Sequence, residues 1–384
     1  MIEVMSSTKS PLLLVFDGRG IYCPVGDFYI DPWRKVERAV VTHAHSDHAR
    51  PGMGHYWVCQ DNVPLMQHRL GGKIGITGVP YGQTFFLNGV KLSFHPAGHI
   101  PGSAQVRVEY KGEVWVAAGD YKVEADGLTP AFEPVQCHTF ITESTFGLPI
   151  YRWKPQAMIA EQLNSWWAHN QAEGRTSILA GYSLGKIQRL LQLLNPDIGP
   201  IYTHGTVAAT NRVMEDNGWR LHPTLPVSQV KDKEDLRRGL VLCPPAALGS
   251  AWMKKLEPLE TGMASGWNAL RGIRRRAGMD KGFILSDHAD WPSLLTAIAA
   301  TQAERVFVTH GSTEILARFL NEQGLEAYPA KTEFEGESMN QKADDETPDL
   351  DLTEGNTLDL SQTNIIDDHL TAEEPSLSQT TALV

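Results

Sequence analysis

The chain has 384 residues, of which 42% are hydrophobic and 8% aromatic, and a formal net charge of −11. That composition excludes a fibrous or wholly disordered protein and leaves room for two sizeable cores. No run of 18 apolar residues is present and the first ten positions lack an apolar leader, so no membrane span, no membrane partner and a cytoplasmic location are expected.

The charge is uneven. Positions 335–384 carry thirteen acidic residues against the single Lys342, which leaves the remainder close to neutral. This Ser/Thr/Asp/Glu-rich segment reads as an acidic disordered tail, and the overall charge does not argue against a polyanionic substrate. Cys23, Cys59, Cys137 and Cys243 are scattered, without a CxxC pair, and read as core thiols.

In chain order, residues 12–16 form the first predicted strand and 28–30 another, which ends at Asp31. An acid at that place can buttress a metal ligand from behind. The apolar run 39–41 then delivers Thr42-His43-Ala44-His45-Ser46-Asp47-His48. Side chains two apart in extended chain point the same way, so His43 and His45 can hold one cation together. A helix beginning near Ser46 would swing Asp47 and His48 toward a second.

Residues 90–94 alternate as a strand and lead to Ala97-Gly98-His99. Two further alternating runs, 105–110 and 113–118, flank Lys111-Gly112 as a hairpin, and the second ends at Gly119-Asp120. His99 and Asp120 therefore lie at one sheet edge, where His99 can complete the first cation's set and Asp120 can bridge both. His95 reads as a loop or core histidine. Glu143 again follows a strand.

From about 151 to 278 the pattern changes to helical and mixed segments. The helix over 158–169 carries Trp166 and Trp167, read as packing rather than as a base-stacking platform. Residues 177–180 are strand-like, and Gly181 to Lys186 opens a helix whose free N–H groups, with Lys186, suit a phosphate. Arg271, Arg274, Arg275 and Arg276 form the densest basic cluster, a candidate clamp for a phosphate backbone. A strand at 283–285 precedes Ser286-Asp287-His288, and a strand at 305–309 precedes His310 and a helix through Leu320.

Together these residues resemble the metallo-β-lactamase superfamily and, within it, the β-CASP nucleases. Asp31, the HxHxDH of His43, His45, Asp47 and His48, His99 in Ala-Gly-His, and Asp120 in Gly-Asp match four motifs in order. Glu143 in Glu-Ser-Thr-Phe-Gly, His288 in Ser-Asp-His-Ala-Asp and His310 in Thr-His-Gly match the three β-CASP motifs, and Leu184-Gly185-Lys186-Ile187-Gln188 is similar to the helix start of the inserted domain. Segments 21–33, 146–153 and 286–292 look like the bacterial DNA ligase-associated exonucleases.

The resemblance implies an α/β fold: a four-layer αββα nuclease domain from residues 1–150 plus 279–334, an inserted α/β β-CASP domain at 151–278, and a tail at 335–384. It implies two divalent transition-metal ions, Mn or Zn. One would be held by His43, His45, His99 and Asp120, the other by Asp47, His48, Asp120 and His310, for hydrolysis of DNA phosphodiester bonds. Asp47 and Asp120 thus join His288 and Glu143 as the catalytic set, with His288 serving the leaving oxygen and Glu143 orienting its ring. An ATP-dependent DNA ligase and a helicase are the implied functional partners. The rival within the superfamily is a β-CASP ribonuclease. A small-molecule hydrolase has no need of the ~130-residue insert or the arginine cluster, and a scaffold subunit would not retain every ligand position.

Overall fold

Short strands rich in β-branched and aromatic residues, separated by Gly and Pro turns, build three sheets. The computed structural model describes residues 12–270 and 279–333. The first sheet runs in sequence order through β1 (Val15–Asp17), β2 (Gly20–Cys23), β3 (Phe28–Ile30), β4 (Arg38–Val41), β5 (His55–Cys59) and β6 (Ile76–Val79). The second collects β7 (Thr84–Leu87), β8 (Val90–Pro96), β9 (Ala104–Tyr110), β10 (Glu113–Ala117) and β11 (Thr139–Ser144), and is completed on the far side of β11 by β18 (Arg305–Gly311) and β19 (Glu326–Pro329). The third takes every strand between, β12 (Thr176–Ala180), β13 (Ile201–Thr203), β14 (Leu225–Pro226), β15 (Leu240–Cys243), β16 (Leu259–Ala264) and β17 (Lys281–Phe283), all parallel.

Alternation along the strands sorts side chains between layers. On β4, Val40 joins a core shared by the first two sheets, with Phe28, Leu92, Val106 and Trp115. Its neighbours Ala39 and Val41 face the other way, against Leu65 and Met66 of α1 (Val63–Leu70). The outer side of the second sheet is covered by α5 (Trp291–Thr301) and α6 (Thr313–Glu322) through Leu294, Ile298, Leu316 and Leu320. The third sheet packs on α2 (Gln156–Ala172) and α3 (Lys186–Leu193), and α4 (Gly205–Asp216) sends Met214 to the α1 side of the first sheet. The protein is thus a mixed α/β structure of several sheets clothed by helices. Trp166 and Trp167 are buried in the third sheet's core, as packing residues are. All four cysteines are buried and none is in a disulfide.

Some boundaries move. The opening strand starts at Val15 rather than at residue 12, because only Val15–Asp17 lies across from β2 in the tight hairpin; Leu13 and Leu14 are buried ahead of it without strand pairing. The strand expected at 283–285 is β17, ending at Phe283, so the chain leaves the sheet early enough to carry Ser286–His288 elsewhere. No helix starts near Ser46: the Ala49 N–H donates to the His45 carbonyl at 2.8 Å in a single turn that does not continue. The hairpin at Lys111-Gly112 forms with Tyr110 opposite Glu113, both turn residues having positive φ (50° and 86°), as a tight two-residue turn requires. Among the described residues no helix is long and apolar enough to cross a membrane. The arginines 271, 274, 275 and 276 and the tail at 335–384 lie outside the described residues.

Candidate metal centre

The parallel pairs β3/β4 and β10/β11/β18 end at the same side of the two sheets, and their C-terminal ends deliver the polar residues. Asp31 caps β3 with φ 45°, an αL position that Asp tolerates. Its carboxylate accepts from the Thr42 N–H (2.8 Å) and the Thr42 hydroxyl (2.7 Å), and faces His48 Nδ1 at 2.7 Å. That locks the histidine loop onto the end of β4. Asp120 reaches the same place only because residue 119 is glycine: φ there is 58°, and a Cβ would lie 2.7 Å from Thr42 Oγ1. On the other flank, the Ser144 hydroxyl donates to the carbonyls of Thr309 (3.1 Å) and His310, fixing the bend that carries His310 at φ 53°.

The side chains converge on Asp120. Its Oδ2 is 3.4 Å from His48 Nε2, 3.7 Å from His43 Nε2 and 3.9 Å from His99 Nε2, and its Oδ1 is 3.5 Å from His310 Nδ1. Four sets have donor atoms within 4.8 Å of one another: His43, His45, His99 and Asp120; His43, Asp47 and His48; His48, Asp120 and His310; Asp120, Glu143 and His288. His43 Nε2, His48 Nε2, Asp120 Oδ1 and His310 Nδ1 are buried with no hydrogen-bond partner. Orphaned polar atoms at this depth are costly. Two donors on one ion at about 2.0–2.2 Å stand roughly 3.0–3.5 Å apart, close to the spacings seen here. The donor set, imidazole and carboxylate without thiolate, suits a divalent transition metal.

Burial and the neighbouring rings hold His43 and His99 well below the usual histidine range, hence neutral and able to ligate. Burial also opposes charge on His48, but the carboxylates of Asp120, Asp47 and Asp31 prevail and raise it well above that range. Burial opposes charge on Asp120 too, yet His48 and His288 keep it ionised, well below the usual carboxylate range.

Beside the cluster, Glu143 Oε2 lies 2.9 Å from His288 Nδ1, and its Oε1 accepts from the Tyr121 N–H at 2.8 Å. The Trp153 indole N–H donates to the His288 carbonyl at 2.9 Å, and Phe146 stands 5.9 Å from the imidazole between ring centres. His95 sits apart on β8, between Ser93 and Glu133.

Lys186 is not placed to bind phosphate. It is 1% exposed, and its ammonium lies 3.3 Å from Asp287 Oδ2. The Gly185 N–H at the same helix start is also taken, donating to Gln188 Oε1 at 2.7 Å. The structure instead adds residues that sequence reasoning passed over: Thr42 beneath the histidine loop, and Arg189 and Asp287 behind His99. Asp287 stands inside a motif already singled out, and Arg189 lies one helical turn beyond Gly185, so position alone offered a hint.

These features define a candidate divalent-metal centre at the strand ends of an α/β protein. No family model matches the chain. A probable DNA ligase of Opitutus terrae is 33% identical over 312 residues, which is 80% of this chain and 30% of that protein. A ribonuclease of Thermus thermophilus is 25% identical over 237 residues, 52% of this chain and 53% of the relative. The chain thus spans about a third to a half of the length of these relatives. Both fit a metallo-β-lactamase/β-CASP family. Among solved structures, a protein of unknown function from Enterococcus faecalis shares the fold, with a TM-score of 0.52 at 11% identity over 79% of this chain and 80% of that one.

Proposed function

We propose that this chain is a two-metal nuclease that hydrolyses DNA phosphodiester bonds, an exonuclease of DNA repair working with an ATP-dependent ligase and a helicase. The observation that carries the reading is the convergence of three buried imidazole nitrogens, His43 Nε2, His48 Nε2 and His310 Nδ1, none with a hydrogen-bond partner, on the carboxylate of Asp120. His43, His45, His99 and Asp120 would hold one ion, and Asp47, His48, Asp120 and His310 the other. Bound there, Mn or Zn would activate water and neutralise charge on the phosphate. In this reading the first two sheets, built from residues 1–150 plus 279–334, form the four-layer αββα nuclease domain, and 151–278 is its β-CASP insert, whose sheet takes one further strand, β17 (Lys281–Phe283), from beyond that boundary.

The protein's own groups do the rest. Glu143 accepts at His288 Nδ1 and so leaves Nε2 to serve the leaving oxygen. Trp153 holds the His288 main chain through its carbonyl, and Phe146 stands beside the imidazole. The arginines 271, 274, 275 and 276 are assigned to the nucleic-acid backbone. The match over 80% of the chain to a protein named a DNA ligase favours DNA. The match to a named ribonuclease supports RNA as the second reading. End-labelled single- and double-stranded DNA and RNA, each incubated with Mn, Zn and Mg, tests both. Shortening of DNA ends with Mn or Zn is the expected result. Cleavage of RNA alone would move the assignment to the ribonuclease, and no cleavage of either would end it.

A further inference from the structure

Two of the histidines around Asp120 have their outer nitrogens against main-chain carbonyls, and both carbonyls are set by one short stretch of the third-sheet region. His45 Nε2 is 3.1 Å from the carbonyl of Leu184, and His99 Nδ1 is 2.9 Å from that of Asp287. A carbonyl only accepts, so each ring carries its proton on that outer nitrogen. With both rings neutral, the inner nitrogens, His45 Nδ1 and His99 Nε2, are bare lone pairs, and they face each other at 3.1 Å. Two facing lone pairs repel unless a cation lies between them.

The carbonyls are firmly held. Gly185, at φ 95°, presses against Ile100, where a Cβ would come within 2.2 Å of the Ile100 side chain. Gln188 secures the turn by accepting from Gly185 N–H (2.7 Å) and donating to the Ser183 carbonyl (2.9 Å). Arg189 is 1% exposed. It donates to the carbonyls of Gly98 (3.3 Å) and His99 (3.2 Å), and pairs with Asp126 at 2.9 Å and Asp287 at 3.0 Å. Lys186 meets the second oxygen of Asp287. His48 is oriented differently, by Asp31.

We propose that the segment 184–189 is a positioning element for the cation pocket of His43, His45, His99 and Asp120, with Arg189 and Asp287 as its anchor. It fixes the proton on the far side of two imidazoles and leaves the pocket of His48 and His310 untouched. What looks in the sequence like a phosphate-binding helix start is thereby a clamp on a metal site. This inference rests on the proposed reading that the cluster binds metal.

Cobalt(II) binding to the full chain separates the two. A His310→Ala background isolates the clamped pocket, and a His45→Ala background isolates the other. Arg189→Met should weaken cobalt binding roughly 10–100-fold in the first background and leave it unchanged in the second. Its cobalt visible spectrum should also change in the first background only. If Arg189→Met does not fold, Arg189→Lys serves, since it keeps the charge but cannot reach the two carbonyls and Asp126 with one nitrogen and Asp287 with another, as Nη2 and Nε do. Unchanged affinity in the first background, or equal loss in both, overturns the clamp. A wild-type chain that binds no cobalt overturns the metal reading, and the clamp with it.

Discussion

Replacing Asp31 by Asn tests the centre without touching an atom that faces the cation. The side chain keeps its size, and Asn tolerates the positive φ at this position, so the backbone is not a confounding factor. The new amide oxygen can still accept from the Thr42 N–H. The amide nitrogen then faces the Thr42 hydroxyl and His48 Nδ1, where a carboxylate oxygen had accepted at 2.7 Å from each. To meet a donor, His48 must give up its Nδ1 proton, so the one it keeps is on Nε2. That is the atom pointing at Asp120 (3.4 Å) and Asp47 (3.6 Å), and once protonated it cannot bind metal. Loss of such a partner typically costs 10–100-fold in metal affinity, or about 1.4–2.7 kcal/mol. Isothermal titration with Mn or Zn against a chelator should show one ion weakened by that factor and the other retained. Two ions bound with wild-type affinity would refute the tautomer argument.

Three further outcomes are expected. His288→Ala should slow cleavage about 10²–10⁴-fold with metal content intact by elemental analysis, and loss of both metals would remove His288 from its assigned place. Asp120→Ala should remove metal and activity together, because both proposed pockets share that carboxylate; full activity would break the two-ion scheme. Metal uptake should release protons: His48, raised well above the usual histidine range, is charged at neutral pH in the metal-free protein, whereas His43 and His99 are already neutral. About one proton should leave per centre filled, and affinity should rise with pH, as read by calorimetry in buffers of different ionisation heat. The sign for folding is opposite. A raised histidine stabilises the metal-free protein fully below its unfolded pKa, and that contribution is lost as pH rises through the folded value.

The cluster around Asp120 was legible because its residue types are unusual directly after apolar runs. His43, His45 and Asp47 follow β4, Asp120 follows β10, and Glu143 and His310 lie at the ends of β11 and β18. The Lys111-Gly112 turn was legible from turn chemistry alone. Lys186 was misread because a lysine at a helix start looks the same whether its partner is a phosphate or an internal carboxylate. Arg189 escaped notice for a related reason: periodicity marks it as a polar position, and only packing reveals that it is buried against Asp126 and Asp287. Strand limits shifted where pairing partners, rather than intrinsic preference, decide how far a strand extends, as at β1 and β17.

The parallel pairing of β11 with β18, which sets Glu143 beside Thr309, also dictates an order of assembly. A chain leaving the ribosome presents His43, His45, His48, His99 and Asp120 well before His310 has been synthesised. Closing so distant a strand pair is slow. Neither group of donors can close before residues 287 and 310 have emerged, because the Asp287 carbonyl turns His99 and His310 arrives on β18, so a cation would join late, once most of the chain is made.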